Sequence, residues 1–131
     1  MFYFYQPVDK ENFKKTIESD SVFLNDIKDV ISDEDYSNLE KIYSNKPLKV
    51  WGVQKIPKDF ESIWNDNSEE HVVYFYEEKH FFKKAKIKYK LINASLSKKL
   101  WEDSKWNYIY FIDELSDCNK PLEDFNKKAE Y

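Results

Sequence analysis

The sequence predicts a single α+β domain, and three observations carry that expectation. The first third of the chain repeats apolar residues at helical spacing. The remainder is dominated by short apolar or alternating stretches of strand character. No linker, repeat or break in composition divides the 131 residues, a length suited to one core.

Each element follows from its own pattern. FYFYQ (2–6) alternates and is stopped by Pro7, which suits a short strand at a sheet edge. From Asp9, DKENFKKTIES sets Phe13 and Ile17 one turn apart in a helix. SVFLNDIKDVI (21–31) extends the helical reading, with Phe23, Ile27, Val30 and Ile31 on one face. SDED (32–35) resembles a capping box, opening a helix over Tyr36, Leu39 and Tyr43 that Asn45-Lys46-Pro47 stops. Residues 1–47 are thus mainly helical, their apolar stripe expected to lie on a sheet.

LKVWGVQ (48–54) reads as a strand and holds the only glycine, Gly52, directly after Trp51. KDFESIWND (58–66) reads as a short helix, with Phe60, Ile63 and Trp64 at i, i+3 and i+4. HVVYFY (71–76) is a buried strand, EEKH a turn, and FFKKAKIKYKLI (81–92) a long strand. SLSKKLWED (95–103) forms a short helix and WNYIYFID (106–113) a last strand. The tail from 116 to 131 carries no strong signal.

Composition narrows the chemistry. All 21 basic residues are lysine, so the planar fork that reads guanine edges or grips phosphate bidentately is missing. The one cysteine, Cys118, allows neither an internal disulfide nor a cysteine-based zinc site. No apolar run approaches 18 residues and the N-terminus lacks the pattern of a signal peptide, so a cytoplasmic protein without membrane contact is expected.

The net charge of −4 hides an asymmetry: residues 79–101 carry 8 lysines and no acid. Within them Lys84, Lys86, Lys88 and Lys90 alternate with Ala85, Ile87, Tyr89 and Leu91. On a regular strand this sets cations on one face at intervals of about 7 Å, near the spacing of phosphates on an extended backbone. A plain solvated strand face gives the same pattern.

For catalysis the chain is poorly supplied. There is no Gly-rich phosphate loop, no Gly-x-Ser-x-Gly, and His71 and His80 lack metal spacing. Asp59 with Glu77, Glu78 and Lys79 has the outline of a metal-dependent nuclease, but a charged hairpin turn explains it as well. A non-enzyme without metal or cofactor is expected. Of the four tryptophans, Trp64 and Trp106 read as structural. Trp51, beside the sole glycine, and Trp101, ending a lysine-rich helix, could instead sandwich a base.

Taken in order, VWGVQK, VVYFYEEKHFFKKAKI, LSKKLWEDSKW and NYIYFIDEL resemble the EVE and YTH-like group of PUA-related domains. In particular they are similar to the N-terminal recognition domain of McrB-type modification-dependent restriction proteins. The resemblance covers residues 48–115, about half the chain. It implies a twisted, barrel-like mixed sheet flanked by helices, and an aromatic cage for a modified base flipped from the stack. Trp51 and Trp101 match the cage walls, the main chain at Gly52 would face the base edge, and Tyr76 is a candidate third contact.

The implied ligand is modified duplex DNA in preference to RNA, with N6-methyladenine first and a modified cytosine second. Lys83, Lys84, Lys86, Lys88, Lys98 and Lys99 would then hold the phosphate backbone. With no Walker A sequence, any AAA+ GTPase and nuclease of such a restriction complex would lie beyond Tyr131 or on other chains. Two readings stay open: a YTH-like reader of modified RNA, and a protein-interaction domain whose lysine strand docks an acidic partner.

Overall fold

A computed structural model describes residues 3–54, 64, 71–77 and 80–121. Its centre is a five-stranded mixed sheet in the order β1-β3-β4-β5-β2. The strands are β1 (Tyr3–Pro7), β2 (Val50–Val53), β3 (His71–Glu77), β4 (His80–Ile92) and β5 (Tyr108–Pro121). β1 runs parallel to β3, and the other pairs are antiparallel. The sheet curls into a half-barrel. In a flat sheet β1 and β5 would lie about 14 Å apart, three strand spacings. Yet the Tyr110 hydroxyl of β5 donates to Gln6 Oε1 of β1 at 3.0 Å. The curl thus brings β1 within side-chain reach of β5, and the edge strands β1 and β2 line the two sides of one open seam.

Bulges produce the curl. The β4–β5 ladder shifts register between Phe81 and Lys83, between Lys84 and Lys86, and between Ile87 and Tyr89. At the second shift β5 holds the extra residue, and Glu114 there adopts φ 56°, the left-handed region used by bulges. At the third, Ile87 pairs with Ile112 and Tyr89 with Phe111, so Lys88 is the inserted residue. Because side chains alternate, one inserted residue exchanges the faces of everything beyond it. Ala85 and Ile87 therefore join one core and Leu91 the other.

Two cores result. Phe13 and Ile17 cover one face, against Trp51, Val53, Val73, Phe75, Tyr110 and Ile112. Leu24, Ile27, Leu39, Tyr43, Leu96 and Leu100 cover the other, against Val50, Ile109 and Phe111. Full burial of each such side chain contributes about 1.5–3 kcal/mol. Helical residues of the N-terminal part contribute to both cores: Phe13 and Ile17 to one, Leu24, Ile27, Leu39 and Tyr43 to the other.

The helices depart from regularity where tertiary contacts override propensity. α1 (Lys10–Phe13) continues as a π turn over Lys14–Glu18. Thr16 Oγ1 there donates to the Val50 carbonyl at 2.7 Å, and Lys49 Nζ bonds Ile17 O at 2.5 Å and Asp20 Oδ1 at 2.6 Å. The helix expected over 21–31 is a shorter 3₁₀ segment, Leu24–Val30. Asp26 there accepts from the Phe23 N–H at 3.0 Å, and Phe23 stands 42% exposed instead of joining the apolar face.

α2 (Asp33–Tyr43) opens as expected, Ser32 Oγ accepting from the Asp35 N–H. The Asp35 carboxylate accepts the Tyr89 hydroxyl at 2.5 Å, which fixes the helix to β4. α3 spans Ala94–Trp101, with Asn93 as its cap. β5 runs well past the strand expected to end at 113, so residues 116–121 extend the ladder where a tail was expected. Of the helix expected over 58–66 only Trp64 is described. Asp59, Phe60, Ile63, Glu78, Lys79 and residues 122–131 lie outside the described residues.

Candidate nucleic-acid interface

The open seam contains a cavity of about 140 Å³. Gln6 and Pro7 line it from the end of β1, and Trp51, Gly52 and Val53 from β2. Asp9 and Asn12 close it from α1, while Trp101 and Trp106 bound it from the end of α3 and the following turn. Three residues singled out in the sequence, Trp51, Gly52 and Trp101, thus converge on one cavity from two distant segments.

The tryptophans are not parallel plates. Trp51 and Trp101 meet edge to face, with ring centroids 6.4 Å apart and planes at 67°. Trp51 is 7% exposed and also touches Phe13, its ring centroid 6.2 Å away, so most of its surface belongs to the core. Trp101 is half-buried. Trp106, expected to be structural, is half-buried at the cavity rim, with the Lys105 ammonium 4.8 Å above its ring.

Gly52 is a glycine because something else occupies the place of a side chain. Its φ is not positive, so backbone freedom is not the reason. A Cβ at 52 would lie 2.7 Å from Trp101 Cζ3 and 2.7 Å from the Trp106 carbonyl oxygen. The direction of its main chain follows from the ladder. The Ile112 N–H donates to Lys49 O at 2.9 Å, so 49 and 112 form a hydrogen-bonded pair. By alternation Val50 and Gly52 aim their amides and carbonyls away from β5. Thr16 takes up the Val50 carbonyl. The N–H and C=O of Gly52 face the open edge.

The polar rim is ordered by its own hydrogen bonds. Gln6 Nε2 donates to Pro7 O at 3.0 Å. A carbonyl can only accept, so this bond fixes which way the amide points, and Oε1 receives the Tyr110 hydroxyl. Asp9 accepts from the Asn12 main-chain N–H at 2.8 Å and from Asn12 Nδ2 at 3.1 Å. Burial raises the pKa of Tyr110 well above its ordinary value, keeping it a neutral donor.

Tyr76 is not brought to this cavity. It lies on β3, with its ring centroid 5.3 Å from that of Phe81. The place foreseen for it beside Trp51 and Trp101 is taken by Trp106 and Gln6. No periodicity marks Gln6, Asp9, Asn12 or Trp106. The one sequence signal for Trp106 was its closeness to Trp101, five residues earlier.

The lysines form no single row of cations. The bulge at Lys88 separates them: Lys84 and Lys86 pair with Tyr74 and Val72 on one face. Lys90 pairs with Tyr110 on the other and donates to the Trp64 carbonyl at 2.9 Å. Several meet acids of β5. Lys86 and Lys88 share Glu114 at 3.4 and 3.3 Å, and Lys83 pairs with Asp117. Lys99 bonds Asp29 at 3.0 Å, which lowers the carboxyl pKa of Asp29. Lys99 also lines a second cavity of about 230 Å³ with Lys15, Thr16, Ser21 and Asp26. Lys84 and Lys98 are exposed and enter no ion pair among the described residues.

Of the nuclease outline, only Glu77 is described; its carboxylate lies 3.8 Å from Lys10 Nζ. Among the described residues no three His, Cys, Asp or Glu side chains gather to hold a metal ion. No described helix is long and apolar enough to cross a membrane.

No protein-family model matches the chain, and no curated protein matches it by sequence. A solved structure does match by fold: the N-terminal domain of Thermococcus gammatolerans McrB bound to m5C DNA. The TM-score is 0.69 at 15% identity, over 100% of this chain and 84% of that one. The two share a fold. The likeness spans residues 1–47 as well as the segment whose motifs resemble that group.

Proposed function

We propose that this chain is a DNA-binding module that inspects a modified base, extruded from the duplex, at the cavity between β1 and β2. The observation that carries the reading is the convergence of Trp51, Gly52, Trp101 and Trp106 around a space of one-ring size. A closed cavity of about 150 Å³ holds benzene, so this open one of about 140 Å³ has room for the ring of a base. The m5C DNA bound by the McrB domain of the same fold favours a modified cytosine over N6-methyladenine. A methyl group on such a base would bury apolar area against indole faces.

The fold supports the same reading, since the McrB domain that shares it is bound to m5C DNA. Edge-to-face contact between Trp51 and Trp101 leaves no slot between their faces, so a base would stack against the exposed side of Trp101 or Trp106. Gly52 would offer its outward amide and carbonyl to the base edge. Lys98, one turn before Trp101, and Lys84 would meet phosphates without having to break an ion pair among the described residues, while Lys105 would exchange Asp103 for a phosphate. In this proposal the chain acts by binding only, in the cytoplasm, as the specificity element of a McrBC-type restriction complex.

The test is binding to duplexes identical except for one unmodified cytosine, 5-methylcytosine, hydroxymethylcytosine or N6-methyladenine, with single-stranded RNA as competitor. Preference for a modified duplex that survives the competitor supports the proposal. Equal affinity for all duplexes, or tighter binding to the RNA, refutes it.

A further inference from the structure

The seam cavity is lined by polar side chains whose hydrogen-bonding directions are fixed by their neighbours. Gln6 is held at both ends: Nε2 by Pro7 O, Oε1 by the buried Tyr110 hydroxyl. It cannot rotate its amide without breaking both bonds. One Nε2 hydrogen has no partner among the described residues, in a side chain that lines the cavity. Asp9, also on the lining, spends one lone pair of each oxygen on Asn12 and retains the others. The cavity lining thus includes a neutral N–H donor and an anionic acceptor, both from the stretch where β1 passes into α1.

We infer that Gln6 and Asp9 read an amino–imine edge: an exocyclic amine donor next to an unprotonated ring nitrogen. Asp9 accepts from the amine, and Gln6 donates to the ring nitrogen. Cytosine carries this pair at N4 and N3, and adenine at N6 and N1. Guanine and thymine carry the reverse, a carbonyl beside a ring N–H, and would set an oxygen against the Asp9 carboxylate. A carboxylate set against a carbonyl makes no hydrogen bond with it and meets repulsion instead, although Asp9 is exposed in the free chain. The aromatic walls cannot make this distinction, because every base has a π face. This inference rests on the proposed function and adds the chemical class of the edge that is read.

Thymine is the sharpest probe, since it has the same ring and the same methyl as 5-methylcytosine with the opposite edge. The full chain is titrated with three duplexes that differ at one position: cytosine, 5-methylcytosine or thymine, each opposite guanine. The G·T mismatch is the weakest pair, so stacking and ease of extrusion by themselves would favour thymine. The expected result is 5-methylcytosine over thymine by about tenfold or more. In Asp9→Asn, where the cap is kept but the charge is lost, that preference should collapse toward unity. Gln6→Leu should weaken 5-methylcytosine binding about tenfold and leave thymine binding unchanged.

If the wild type prefers 5-methylcytosine over cytosine but not over thymine, the edge-reading inference is overturned and the functional reading survives. If it prefers neither modified nor unmodified duplex, both fall. Should Asp9→Asn fail to fold, the wild-type comparison and Gln6→Leu still decide.

Discussion

Trp101 lies on Gly52 so closely that a methyl group at position 52 would stand 2.7 Å from its ring. The contact joins the edge strand β2 to the end of α3, and it accounts for the one glycine in the chain. Gly52→Ala should therefore push Trp101 out of place. Overpacking of this kind typically costs about 1–3 kcal/mol. A lowered Tm, a shift in tryptophan emission and loss of preference for modified DNA are expected together. An unchanged emission spectrum would show that the two residues are not in contact.

The two indoles should respond differently to truncation. Trp51 is buried among core residues, and Trp51→Ala should cost about 3–5 kcal/mol, enough to unfold much of the population. Trp101 and Trp106 are half-buried, so Trp101→Ala and Trp106→Ala should keep the fold, as seen by circular dichroism, and lose most discrimination among duplexes. Discrimination retained in both variants would move the binding site away from the seam.

Charge reversal should separate the lysines. Lys84→Glu and Lys98→Glu should weaken modified and unmodified DNA alike, and each should lower the slope of log affinity against log salt by about 1. Lys83→Gln should have a smaller effect, because Asp117 already neutralises that cation. A uniform response along β4 would mean that these cross-strand pairs are given up on binding.

Alkaline stability follows from two buried phenols. Burial raises the pKa of Tyr43 and of Tyr110 above the ordinary 10.0. In the unfolded chain both ionise near 10. Their contribution to stability is therefore complete below about pH 10 and declines above it, as the unfolded state sheds protons that the folded state retains. Each group adds a limiting slope of about 1.4 kcal/mol per pH unit. Melting curves of the wild type and Tyr110→Phe, from about pH 9 to about pH 11, measure this: the variant should lose stability less steeply. Parallel losses would place the Tyr110 hydroxyl in contact with water.

Vertical patterns in the sequence were easier to read than lateral ones. The alternation in 81–92 and the helical stripe at Phe13 and Ile17 disclosed strand and helix, because side-chain period reports which face is buried. The same alternation misled about Lys90. A one-residue bulge leaves no mark in an alternating stretch, yet it exchanges the two faces beyond it. Trp51, Gly52 and Trp101 stood out by rarity. Gln6, Asp9 and Asn12 did not, because they are ordinary polar residues that reach the cavity through the curl of the sheet, and that curl arises from bulges. Phe23 illustrates the opposite failure, an apolar residue at helical spacing that the chain leaves in extended conformation just before the helix, outside its buried face.

The inserted Lys88 has a mechanical consequence. By sending β4 from one core to the other, it makes a single sheet the shared wall of two separate interiors, with Trp51 rooted in one and Trp101 resting on the other. The edge-to-face contact of the two indoles therefore ties one interior to the other at the edge strand β2.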